Sequence, residues 1–126
     1  MLRNPKLRTS INALDAFTVS GRSSASLLTV WGGLEQLFAP SQGELRFRTA
    51  AYISSYLEDA GPRRYKLYRE VLQLYNDRSS AAHSAKESEI EPLVQSWIIL
   101  RNAVIRMIDD ERIPDQQYLE KKLFGV

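Results

Sequence analysis

Cysteine is absent from the 126 residues, and histidine occurs once, as His83. The first absence removes disulfides, thiolate metal sites, iron–sulfur clusters and cysteine nucleophiles together; it is compatible with a reducing cytosol, the compartment expected here. The second means that any mechanism needing two imidazoles must recruit a second chain. No apolar run approaches the roughly 20 residues that cross a bilayer, so a membrane-spanning helix is not expected. The opening MLRNPKLRTS carries charge with no apolar segment behind it, so no secretory signal is expected either. Excess charge is also scarce. Seventeen Lys plus Arg against fifteen Asp plus Glu leave +2, which permits an anionic partner without demanding one.

What is present has the balance of a globular domain: 44% hydrophobic and 25% charged residues, in a chain long enough for one core and short for a second. Residues 1–126 are therefore read as a single domain, with the C-terminal part of a longer polypeptide as the weaker alternative.

The apolar spacing is helical throughout, and no period-two alternation competes with it. A first helix is expected after Asn4-Pro5, to about Ser20, with Leu7, Ile11, Leu14 and Phe17 at three-to-four spacing. Gly21 closes it, and Ser23 or Ser24 can cap the next helix. That helix is the most apolar, with Leu27, Trp31, Leu34 and Phe38 in one stripe that Val30 and Leu37 widen. Gly32-Gly33 inside it weakens helix propensity by about 1 kcal/mol each relative to Ala, and close helix–helix approach is the expected reason. After the APSQG loop (39–43), a third helix is expected over 44–57, with Leu45, Ala50, Ile53 and Leu57 inward. Arg46 and Arg48 sit near its start, opposing the helix dipole; a solvated face is expected for both, with RNA phosphate contact as the second reading.

Gly61-Pro62 is a strong stop and restart. A fourth helix is expected over 63–76, carrying Tyr65, Tyr68, Leu72 and Tyr75, and a fifth over 89–110, striped by Ile90, Leu93, Val94, Trp97, Ile98, Val104, Ile105 and Ile108. The tyrosines are read as core or interface, and Trp31 and Trp97 as core. Ile113-Pro114 breaks the chain again before a short helix over 116–123. The fold class is all-α: a bundle of about five to six helices.

LYNDRSSAAHS (74–84) is the one constellation that looks like a site, with the only histidine five residues after Arg78. On an unbroken helix that step turns the direction by about 140°, so the two side chains converge only at a helix end or bend. Asp77, Ser79 and Ser80 compete for backbone hydrogen bonds and make a bend there plausible. Glu35 follows a stripe position in an otherwise apolar helix. A carboxylate there is costly unless paired, which suggests a bond to Arg78; a partly exposed helix surface is the other reading.

This Arg-x(4)-His pair resembles the Arg-x(4–6)-His signature of HEPN domains, in the Apea-like branch. The resemblance extends to VWGGLEQLFAP (30–40), ELRFRTAAYIS (44–54), LYREVLQLYNDRSSAAHS (67–84) and the Leu-Arg-Asn-x-x-Ile helix over 100–105, four blocks in order over about residues 10–110. It implies a helical bundle that pairs through a two-fold axis and brings two motifs to a shared cleft. Many such domains are metal-independent endoribonucleases, often toxins or defence effectors, with an antitoxin or sensor domain as partner; others are inactive dimerisation or nucleotide-binding modules.

The chemistry suits the active form. Cleaving RNA through its own 2′-OH needs a base, an acid and a cation on the phosphorane oxygens. A histidine contributes about 10²–10⁴-fold as acid or base, and arginine offers a fork matched to phosphate. A symmetric dimer supplies two imidazoles. The expected roles are His83 as acid/base, Arg78 on the phosphate, Ser79 orienting and Glu35 holding Arg78. No metal or cofactor is expected: one histidine and no cysteine make a poor zinc site, Asp109-Asp110-Glu111 reads as a solvated helix end, and GRSSAS (21–26) lacks the lysine and strand of a phosphate loop.

Overall fold

Asn4 and Pro5 start the first helix as their chemistry dictates. The Asn4 Oδ1 accepts from the backbone N–H of Lys6 at 2.9 Å and of Leu7 at 3.4 Å, and Pro5 takes the first helical position, where its missing N–H costs nothing. In the computed structural model, which describes residues 1–19, 23–83 and 90–126, six helices follow in order: α1 (Pro5–Val19), α2 (Ser23–Phe38), α3 (Leu45–Leu57), α4 (Pro62–His83), α5 (Ile90–Asp110) and α6 (Gln116–Leu123). There is no strand among the described residues. The expected break at Gly21 and the segment 84–89, Ser84 included, lie outside them.

The core is centred on α2. Leu27, Val30, Trp31 and Leu34 are fully buried there, against Leu7 of α1, Ile53 of α3, Val71 of α4 and Leu100 of α5. Trp31 donates its indole N–H to the buried Ser96 Oγ at 3.1 Å, satisfying a donor that burial would otherwise penalise. Gly33 is where α1 and α2 meet closely: a Cβ there would lie 3.0 Å from Leu100 and 3.3 Å from Ala13, and Ser10 Oγ donates to the Gly33 carbonyl at 3.3 Å. Gly32 faces open space and has no such role.

Three expectations are corrected. First, α4 does not stop at Asn76 but continues to His83. Ala81 extends the buried row of Val71, Leu72 and Leu74, and that packing outweighs the few tenths of a kcal/mol that Ser79 and Ser80 cost a helix. Second, the apolar residues of α5 form two faces rather than one stripe. Leu93, Ile99, Leu100, Val104 and Met107 are buried with Ser96 and Ala103, whereas Ile90, Val94, Ile98, Ile105 and Ile108 are exposed. Trp97 is half-buried between them and donates its N–H to the Leu14 carbonyl at 3.1 Å. Third, Leu45 is exposed rather than inward, and Tyr65 is exposed and so not part of the core. Among the described residues no helix is long and apolar enough to cross a membrane.

Candidate functional site

Helices α2 and α4 bring Glu35 and Arg78 together. Arg78 lies on the core-facing side of α4, one turn beyond Leu74, and donates its Nε–H to Glu35 Oε1 at 2.9 Å. The expected pairing of the carboxylate in the apolar helix is thus present. The guanidinium carbon also stands 5.9 Å from the centre of the Tyr75 ring. Tyr75 in turn meets Trp31 edge-on at 5.6 Å. Arg78 is therefore fixed by an anion and an aromatic face, with Trp31 and Ser96 as the footing beneath them. Because Glu35 is reached through Nε, the paired Nη groups, the end of the fork that matches phosphate, are not needed for that bond.

His83 is the last residue of α4 and is exposed. No bend at Asp77–Ser80 turns it toward Arg78. The helix is continuous, so the two side chains of one protomer diverge by about 140° and are offset by about 7.5 Å along the axis. Ser79 is half-buried on the His83 side, one turn earlier. The structure thus joins Arg78 to Glu35 and Ser79 to the histidine flank, but does not join the two halves within one chain.

The two arginines of α3 differ from each other. Arg46 is exposed and donates its Nε–H to Asn76 Oδ1 at 2.9 Å, on the neighbouring α4. Arg48 is not on a solvated face. It donates to the Gln42 carbonyl at 2.9 Å and the Tyr52 hydroxyl at 2.7 Å, and pairs with Glu120 at 3.6 Å, tying the 39–44 loop and α6 to α3. Nothing in the spacing of the sequence foretells the Asn76 or Glu120 partners, since both are long-range consequences of how α3 packs.

A cleft of about 540 Å³ opens beside Glu35, lined among others by Lys6, Gly32, Tyr52 and Gln116. Arg78 does not line it, so the carboxylate separates the cleft from the guanidinium. Among the described residues no group of three or more His, Asp and Glu converges to hold a metal ion. Tyr56, at the far end of α3, has its phenol raised well above the usual 10 by burial first, and then by Asp110 and Tyr118; Arg106, which donates to the Tyr56 carbonyl, offsets part of this. Compared with models of known protein families, with curated proteins and with solved structures, the chain finds no match.

Proposed function

We propose that the chain is a metal-independent endoribonuclease of HEPN type, cleaving RNA by attack of its 2′-OH and acting as a symmetric homodimer. The observation that carries this reading is the clamp on Arg78. Glu35 and Tyr75 hold a guanidinium in one orientation, on the helix whose end presents the chain's only histidine to solvent. His83 then acts as acid/base, Arg78 neutralises the phosphorane, Ser79 orients and Glu35 positions Arg78. The divergence along α4 makes a second copy necessary, because only across a two-fold axis do two imidazoles and two guanidiniums share a groove.

The outer ridge of α5 supports pairing. Val94, Ile98, Arg101, Ile105 and Ile108 follow steps of four, three, four and three, the seam spacing of associating helices, and the four apolar members stand 37–45% exposed. Isolated exposed apolar residues need no explanation, but four of them on one ridge, interrupted only by Arg101, mark an interaction surface. A toxin or defence role, restrained by an antitoxin or sensor domain, is what the resemblance adds, and the lack of cysteine agrees with a cytoplasmic setting.

A non-catalytic dimerisation or nucleotide-binding module is the second reading. It is favoured by the same ion pair, since an arginine bonded to a carboxylate also serves to join α2 to α4. Incubation with RNA in EDTA separates the two. The nuclease cleaves, leaves 2′,3′-cyclic phosphate ends, and is silenced by both His83→Ala and Arg78→Ala. A folded dimer that cuts no RNA pool leaves the second reading in place.

A further inference from the structure

We infer that the flank of α4 leading to His83 is a track for single-stranded RNA, where bases stack on Tyr65, Tyr68 and Phe47 and phosphates meet Arg69 and Arg46. The inference rests on the nuclease reading for its destination at His83, but not for its binding chemistry.

Tyr65 and His83 are both on α4, and their separation of about five turns places them on one line along the helix, about 27 Å apart. Asn76 is exposed on the same line within about 20°, Tyr68, Ser79 and Arg69 border it, and Leu72, also near the line, is buried and forms no part of the surface. At the far end of this line three rings form a cluster. Phe47 of α3 meets Tyr68 edge-on at 5.9 Å, and Tyr65 lies 6.2 Å from Tyr68 with its plane tilted by 32°. Phe47 is 51% and Tyr65 64% exposed, a costly display of apolar area for rings that could have packed inward. Midway along, Arg46 reaches α4 at Asn76 through its Nε, which leaves the rest of its fork for an anion. Arg69 is exposed at the same edge.

The charge favours a polyanion over an apolar partner. The acids of α4, Glu70 and Asp77, project to the opposite flank, about 100° or more from the line. Glu44, at the head of α3, is the one acid beside Arg46 on that element and forms no ion pair among the described residues. The ion pairs among the described residues are Arg48–Glu120 and Arg78–Glu35, so neither Arg46 nor Arg69 is neutralised by one. Aromatic faces interleaved with cations along a line are the arrangement by which single strands are held without sequence readout. A duplex, whose bases are stacked on one another, gains nothing from the rings.

The test uses the full chain carrying His83→Ala, so that RNA is not consumed, and the fluorescence anisotropy of a labelled mixed-sequence single strand of about 12 nucleotides. Single-stranded RNA is expected to bind at least about ten-fold tighter than the same sequence as a duplex. Phe47→Ala and Tyr65→Ala each weaken it by about ten-fold, and Tyr65→Trp restores it. Arg46→Ala and Arg69→Ala each flatten the salt dependence by about 0.7 in logarithmic slope. All four positions are exposed, and circular dichroism verifies each fold. Affinity unchanged by loss of both rings, or equal affinity for the duplex, overturns the track. In the wild-type chain, binding through the rings without cleavage sinks the nuclease and leaves the track; cleavage undiminished by loss of the rings sinks the track and leaves the nuclease.

Discussion

Arg78 and Glu35, 43 residues apart in sequence, are joined by one 2.9 Å bond between α4 and α2, and each side chain is about a third exposed. Solvent screens a pair at that exposure, so its contribution is about 0.5–1 kcal/mol rather than the several expected of a buried one. A double-mutant cycle of Glu35→Ala and Arg78→Ala in urea unfolding should return a coupling of about that size. A coupling near zero means that the contact adds nothing to the stability of the α2–α4 packing.

The two adjacent glycines of α2 should respond in opposite directions. A Cβ at Gly33 meets Leu100 at 3.0 Å and the backbone of Ser10 at 3.3 Å, so Gly33→Ala forces α1 from α2 and costs about 1–3 kcal/mol. Gly32 has nothing within 4 Å, and Gly32→Ala should stabilise the helix by up to about 1 kcal/mol. Thermal unfolding of the two single variants checks both signs.

Stability should fall in alkali through Tyr56. Its folded-state phenol is raised by burial above the ordinary value of 10.0. Below that value both states hold the proton and the stabilisation is complete. Above it the unfolded chain loses the proton first, so stability declines by up to about 1.4 kcal/mol per pH unit for this group. Urea midpoints at about pH 9 and about pH 11 should show a shallower decline for Tyr56→Phe than for the wild type.

Pairing through α5 predicts a clean separation of assembly from folding. Ile98 and Ile105 are 45% and 40% exposed, so Ile98→Glu and Ile105→Glu leave the core intact while each places two like charges, one per copy, in a seam that is apolar but for Arg101. Light scattering should give the monomer mass for both, with the helical content of the wild type. A dimer that persists in both variants places the interface elsewhere.

Much of the fold is legible from residue chemistry. Asn4-Pro5, Gly61-Pro62 and Ile113-Pro114 punctuate the chain because proline suits a helix start and not its interior, and α6 follows the last of them as expected. The end of α4 is not legible. Asp77, Ser79 and Ser80 have the local signature of a terminus, and only the tertiary burial of Ala81 carries the helix past them. Nor are the two faces of α5. Apolar residues lie around most of its circumference, and periodicity does not distinguish the side that meets α2 from the side that meets solvent. At the site, Glu35 could be matched to Arg78 because a lone carboxylate among apolar residues demands a cation. Arg46 and Arg48 could not be assigned in this way, since an arginine at a helix start has no single partner that chemistry prefers.

The shared groove is tested most directly by poisoning wild-type chains with His83→Ala chains, co-refolded in equal amounts, and following cleavage of RNA in EDTA. If two imidazoles serve one groove, only wild-type pairs cut, and the rate falls to about one quarter of that of the same total protein unmixed. A rate of about one half means that each chain cuts alone, and the two-copy site is wrong; no cleavage by the unmixed wild type contradicts the nuclease outright.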